Sequence, residues 1–296
     1  MVQAVIKKED ALVTQKKPLG YGWRILWRTG DWWHHIWLIF LLFLMFVPIL
    51  MMIIISFKTL AQFSMDPYFL TFPLHPENYV RAFKTVSTYI WNSMFVSGIS
   101  VVGMVILATL AAWAFARYPF PGRELLFYMI LALLMIPGEL TLVPSFLLVK
   151  SLGLLNTRWV LILPYIAGGQ VFAIFVLRSF FEGMPEELFE AARIDGASEL
   201  NTFARIAMPM AGGIVGVVAI MHITSTWNDL IWPMITVNVR RLMTLTIGLY
   251  AFRNEMYTQW GGLMAGYTIA SIPMIILFAF TSKLFVEGLA SGALKM

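Results

Sequence analysis

Apolar residues gather into six stretches, at roughly 36–56, 90–116, 125–149, 159–181, 203–226 and 261–285. A helix rises 1.5 Å per residue, so about 20 apolar residues cross a hydrocarbon core of about 30 Å. Lipid offers no partner to an open backbone, so each stretch predicts a transmembrane helix. Two connecting segments are long. Residues 57–89 carry Pro67, Pro73 and Pro76 and predict an irregular loop; residues 227–260 carry Trp227-Asn228-Asp229 and Trp232-Pro233. Pro137 and Pro144 fall in the third stretch, Pro164 in the fourth, Pro209 in the fifth and Pro273 in the sixth. Each removes a backbone donor and predicts a bend. A bundle bent so often suits one that encloses a cavity and rearranges.

Charge sets the orientation. With the N-terminus inside, thirteen Lys and Arg face inward, six of them before the first span, against eight outward. That bias predicts both termini in the cytoplasm. Trp23, Trp27, Trp32, Trp33 and Trp37 lead into the first span; Trp91, Trp159 and Trp260 open or precede the second, fourth and sixth. Such rings belong at headgroup level, and Tyr21–Arg28 reads as an aromatic anchor or a short interfacial helix.

The loop between spans four and five predicts an ordered structure. Pro185, Glu186 and Glu187 suit the first turn of a helix, where carboxylates meet the positive end of its dipole. Leu188, Ala191, Ala192 and Ile194 give that helix a small, apolar face. Gly196 can end it with positive φ, and Ser198 can cap a second helix that leads through Arg205 into span five. The result is an elbow on the inner side. Its six acids (Glu182, Glu186, Glu187, Glu190, Asp195, Glu199) outnumber three arginines. An anionic leaflet repels that balance, so a protein partner is expected.

Composition narrows the chemistry. The 296 residues are 59% hydrophobic and 12% charged, far from the soluble average of about a quarter charged. The net charge of +5 sits beside apolar segments and forms no basic stripe, which argues against nucleic acid. There is no cysteine, hence no thiolate ligand or thiol nucleophile. No Ser-His-Asp set, carboxylate pair or metal-ligand spacing appears. His34 and His35 are adjacent and diverge by about 100° on a helix, too far to chelate together. No Gly-x-x-x-x-Gly-Lys-Ser/Thr phosphate loop occurs, so an ATP-driven cycle needs another subunit.

Glu190-Ala191-Ala192, Asp195-Gly196, Ile206 and Pro209 resemble the "EAA" loop of ATP-binding-cassette importer permeases. Ala114-Phe115-Ala116-Arg117 with Phe120-Pro121-Gly122, Met135-Ile136-Pro137 with Gly153–Thr157, Trp227-Asn228-Asp229 with Trp232-Pro233, and Gly288–Lys295 narrow the resemblance to sugar permeases of the MalG type. It covers residues from about 36 to the end. It implies an all-α integral membrane protein of six transmembrane helices with the type I importer fold. The resulting division is a basic N-terminal segment (1–35), a first helix (36–56), an extracytoplasmic loop (57–89), a permease core (90–285, with the coupling loop at 184–209) and a cytoplasmic tail (286–296). It also implies a bacterial or archaeal cytoplasmic membrane, a second permease, two ATPase subunits that bind the ATP and Mg, an extracytoplasmic sugar-binding protein, and no cofactor in this chain. Glu190, Ala191, Ala192, Asp195, Gly196, Ile206 and Pro209 would couple to the ATPase, with the alanines in its cleft. The tail would touch the ATPase dimer, although it ends Leu294-Lys295-Met296 where the family pattern is valine-lysine-glycine-like. Arg240, Arg241, Arg253 and Asn254 would meet the binding protein.

Other polar residues stand in or near the spans. Glu139 in span three either lines a sugar path, bonds a partner helix, or lies close enough to the surface to be hydrated. Asp229 is either an interfacial cap or part of that path. Tyr165, Gln170 and Tyr267 could bond or stack on sugar. His222 predicts an interhelical hydrogen bond. An ion-coupled transporter is the alternative, but it calls for internal repeats and several buried ionisable groups, and neither is evident. Which sugar is carried stays open: a disaccharide, an oligosaccharide or a glycerol-phosphate compound.

Overall fold

A computed structural model of the chain describes residues 32–256 and 259–293, and every regular element among them is helical. The chain divides into two compact units, Met1–Ile53 and Ile54–Met296. The first holds most of helix α1 (Trp32–Ser56), whose most apolar stretch has a mean hydropathy of 3.2 and no buried residue. A helix apolar all round suits hydrocarbon. The Tyr21–Arg28 segment, the N-terminal lysines and Leu294–Met296 lie outside the described residues.

The second unit contains α2 (Leu60–Met65), α3 (Glu77–Arg117), α4 (Arg123–Ala132), α5 (Gly138–Ser151), α6 (Trp159–Glu182), α7 (Glu186–Ile194), α8 (Glu199–Thr202), α9 (Met208–Met210), α10 (Gly212–Asn228), α11 (Ile231–Thr236), α12 (Leu245–Glu255) and α13 (Trp260–Ala293). Among the described residues, α1, α3, α6 and α13 are each long and apolar enough to span a membrane. Two bent pairs pass the same test together: α4 with α5, broken by 101°, and the α8–α9 segment with α10, broken by 74°. By length and hydropathy the candidate spans therefore number four, or the expected six where each bent pair counts as one.

Helix α3 is the central column. Its 41 residues extend about 60 Å, longer than a hydrocarbon core. Buried Ala82, Val86, Tyr89, Ser93, Val96, Ser100, Met104, Ala108 and Ala112 recur at three- and four-residue steps, so one stripe faces the core along nearly its whole length. Three apolar clusters form against that stripe, shared with α6 and α10, with α12 and α13, and with α6, α11 and α12. Small residues allow close approach. A Cβ at Gly169 on α6 would lie 2.8 Å from Met104 Cγ and 2.7 Å from the His222 ring.

One expectation needs correction in part. Residues 57–89 are irregular only over 66–76, where Pro67, Pro73 and Pro76 stand; 60–65 and 77–89 are helical. Thr59 and Gln62 form a capping box on α2, the buried Lys58 ammonium donates to the carbonyls of Asp66 (2.5 Å) and Phe69, and α3 starts at Glu77, thirteen residues before position 90. Backbone N–H groups of Phe69 and Tyr68 donate to Asp66 and hold its carboxyl below the usual range. Of the prolines expected to bend their helices, two stand at sharp breaks. The sharp breaks fall at Ile136–Pro137 and at Ala211, just past Pro209, whereas Pro144, Pro164 and Pro273 lie inside continuous α5, α6 and α13. At Pro164 the reason is visible: the missing N–H would have met Val160 O, and the Trp232 indole N–H donates there instead at 2.9 Å.

Candidate functional site

The elbow forms as its residues dictate. Pro185 stands at the N-cap of α7, with Glu186 and Glu187 in the first turn. At the far end Ala197 N–H donates to Ala192 O at 2.9 Å and Gly196 N–H to Arg193 O at 3.1 Å, around Gly196 at φ +76°. That is a glycine-dependent helix stop, since only Gly takes this conformation at little cost. Ser198 Oγ then accepts from Asn201 N–H at 3.4 Å and starts α8.

Of the small apolar face expected to meet a partner, only Ala192 is buried. Phe189 and Ala192 point inward; Leu188, Ala191, Glu190 and Ile194 point out. Phe189 meets Trp113 edge-on at 5.4 Å, and Trp113 also contacts Phe181 and Phe203. Burying a phenyl ring is worth roughly 1.5–3 kcal/mol, so Phe189 in this aromatic knot helps hold the elbow to the bundle. Ala192 is 6% exposed, which leaves Ala191 alone of the pair at the surface. Ile194 is 86% exposed and Leu200 69%. With Leu188 they make an apolar outer surface beside Glu187, Glu190 and Asp195. Ile206 is partly buried against the core, and Pro209 is exposed just before the break at Ala211.

Three arginines, Arg117, Arg178 and Arg193, tie this region together. Arg117 ends α3. Its guanidinium donates to Glu186 Oε2 at 2.5 Å, Phe181 O at 2.6 Å and Met184 O at 2.9 Å, and lies 4.2 Å from the centre of the Phe189 ring. Arg193 bonds the other Glu186 oxygen. Arg178 Nη2 on α6 donates to both Glu124 carboxylate oxygens at 2.9 and 3.0 Å, its Nε donates to Glu182 at 2.7 Å, and the guanidinium stacks 3.8 Å over Phe127. The Tyr118 hydroxyl donates to Glu199 at 3.2 Å; partial burial and the adjacent Glu199 carboxylate hold its phenol above the usual range. Behind the elbow Arg117, Tyr118, Glu186, Arg193 and Glu199 line a polar cleft of about 310 Å³.

The residues proposed to line a path scatter. Tyr165 and Asp229 do meet: the hydroxyl donates to Asp229 Oδ2 at 2.8 Å, and Asp229 Oδ1 accepts from Trp232 N–H at 3.4 Å. Gln170 is turned onto backbone, donating to Met104 O and Ile166 O at 3.2 and 3.1 Å. Tyr267 packs at the edge of the α12–α13 cluster. Glu139 is exposed at the 101° break, with no hydrogen bond among the described residues. The hydrogen bond expected of His222 is missing at Nε2, which finds no partner among the described residues; the ring fills the notch at Gly169 instead. A mainly apolar cleft of about 520 Å³ lies between α5 and α6, bordered by Gly138, Thr141, Ser145, Pro164 and Trp232.

At the other end of α3, side chains hold the 240–255 segment. Asn92 donates to Arg241 O at 2.8 Å and Met243 O at 3.0 Å, and Ser93 Oγ accepts from Leu245 N–H at 2.7 Å. Arg240 is engaged with Glu255 at 2.7 Å and with the Tyr89 hydroxyl at 3.0 Å, whereas Arg241, Arg253 and Asn254 are exposed. Asn92 and Trp232 could not be recognised as anchors from sequence, because their partners are backbone atoms far along the chain.

Comparison with known proteins identifies the frame on which this geometry sits. The family described as binding-protein-dependent transport system inner membrane component matches residues 104–291, nearly two thirds of the chain. The chain belongs to this family. The matched region holds the elbow, both broken spans and α6, so α7 and its aromatic knot lie inside the shared part of this inner-membrane transport component. Among its relatives, the probable ABC transporter permease protein YurM of Bacillus subtilis is 36% identical over 272 residues, 91% of this chain and 90% of that protein. The arabinooligosaccharides transport system permease protein AraQ of Halalkalibacterium halodurans is 32% identical, covering 86% and 93%. The trehalose/maltose transport system permease protein MalG of Thermococcus litoralis is 31% identical, covering 84% and 91%. A chain of a bacterial ABC transporter involved in the import of the acidic polysaccharide alginate shares the fold, with a TM-score of 0.74 at 22% identity over 86% of this chain and 97% of that one.

Proposed function

We propose that this chain is one of two permeases of an ATP-driven carbohydrate importer, with both termini and the elbow on the cytoplasmic side. The observation that supports it most is the outer surface of α7 and α8: Ile194, Leu200, Leu188 and Ala191 are exposed beside acids, on a helix whose other face is locked into the bundle. Apolar side chains left in water on a rigid, acidic support suit a protein groove. In this reading an ATPase subunit carries the ATP and Mg and takes that surface into its cleft, with Glu190 opposite a basic residue. A second ATPase serves the partner permease. Arg241, Arg253 and Asn254 face an extracytoplasmic binding protein, and Arg240 holds α12 in place through Glu255. The Tyr165–Asp229 pair and Glu139 border the route of the solute. The names of relatives point to carbohydrate; which one stays open.

The test is assembly and uptake in membranes. The chain should co-purify with a second permease and two ATPase copies. In reconstituted complexes, one or more of maltose, trehalose, an arabinooligosaccharide or diacetylchitobiose should enter in step with ATP hydrolysis. Glu190→Ala and Gly196→Asp should leave insertion intact and weaken both ATPase docking and uptake. Uptake by the chain alone, without an ATPase, overturns the reading.

A further inference from the structure

We propose that Arg117 is a positioning residue that makes the elbow and the end of α3 move as one body. The inference rests on the elbow being the ATPase contact, and adds how a push there reaches the bundle. The guanidinium is held by three elements at once. It belongs to the last turn of α3, it donates to Phe181 O and Met184 O at the end of α6 and just past it, and it donates to Glu186 in the first turn of α7. Its plane covers Phe189, the residue that roots α7 in the core. The side chain is 15% exposed, so solvent screens it little, whereas Glu186 is half-exposed.

The division of labour follows from these environments. Attraction comes from the aromatic knot, which resists separation but tolerates sliding, because apolar contact has no preferred direction. Direction comes from the guanidinium, whose planar fork fixes the angle between a carboxylate and two carbonyls. Lysine keeps the charge but is a point donor on a flexible stem, and cannot hold that fan of acceptors in one plane. Coupling between sites needs an element with defined arrangements that both sites bias. Without Arg117, α7 stays packed and tilts freely, and a push on Ile194 is absorbed by the tilt.

The chain has no cysteine, so introduced labels are unique within it, and the partner subunits are used in cysteine-free form. Spin labels at Ile194→Cys on α7 and Leu107→Cys on α3, both exposed, report the elbow-to-column distance in the complete complex, nucleotide-free and trapped with ATP and vanadate. The parent should give one narrow distance, the same in both states. Arg117→Ala should broaden it and make it shift on trapping, with ATPase subunits still co-purifying. Arg117→Lys should fall between, and Glu186→Gln, which keeps an acceptor, should broaden least. These two carry the test should Arg117→Ala fail to assemble. A distance as narrow and as constant in Arg117→Ala or Arg117→Lys as in the parent overturns the clamp. If instead the ATPase never reaches Ile194 in the parent, the proposed function fails, and the clamp is still decided by the width measured without nucleotide.

Discussion

The indole N–H of Trp232 donates to the carbonyl of Val160 at 2.9 Å, the carbonyl that Pro164 leaves without its partner one turn later. A tertiary contact thus lets a proline sit in α6 without breaking it. Trp232→Phe should leave a buried carbonyl unsatisfied, at about 1–3 kcal/mol. In a Pro164→Ala background, where the helical N–H returns, the same change should cost less. Thermal unfolding of the four variants in detergent measures the difference; equal costs in both backgrounds would show that the two residues are uncoupled.

Gly196 has φ +76° and no atom within 4 Å of the place a Cβ would occupy, so substitution there costs backbone strain alone. Gly196→Ala should cost about 1–2 kcal/mol at the elbow, and Gly196→Asn less, since Asn tolerates the left-handed region. Limited proteolysis within 186–202 reads this as faster cleavage of Ala than Asn, and of Asn than parent. Equal cleavage would mean the turn does not hold α7 in place.

Lys58 is 1% exposed, and its ammonium donates to the carbonyls of Asp66 and Phe69. Lys58→Met should free those carbonyls and loosen residues 60–76, at roughly 1–3 kcal/mol. Hydrogen exchange at Tyr68 and Phe69 should accelerate, while exchange in α7 stays unchanged. No acceleration would mean that the Asp66 turn stands without the lysine.

Asn92 bonds the carbonyls of Arg241 and Met243, 149 and 151 residues away in the chain. Asn92→Leu should release that segment and raise exchange across α12, whereas Arg253→Ala, on the exposed side, should leave α12 protected and alter only its surface. Matching protection in Asn92→Leu and parent would remove Asn92 as the anchor.

Much of this architecture was legible from one sequence because membrane helices declare themselves by length and hydropathy, as do the stop at Gly196 and the cap at Ser198. What stayed hidden depends on direction. The alternation around Leu188–Ile194 marks an amphipathic helix but does not say which apolar side is inward. Phe189, with the aromatic knot to bind, took the buried face, and Ala192 followed it three residues on. Within 57–89 the prolines mark 66–76, which holds no helix, while the buried lysine that organises carbonyls there leaves no periodic trace. Arg117 was counted for its charge, and only the fold shows that its donors converge on Phe181, Met184 and Glu186.

The most direct test is a cross-link from Ile194→Cys, which is 86% exposed in a chain with no other cysteine, made in native membranes that contain the whole transporter. A short thiol-to-amine reagent should join the permease to an ATPase subunit as one dominant product, and Gly196→Asp should diminish it. A cysteine at Ile194 that reacts only with lipid or small reagents, with no ATPase adduct while uptake proceeds at the parental rate, would contradict the account.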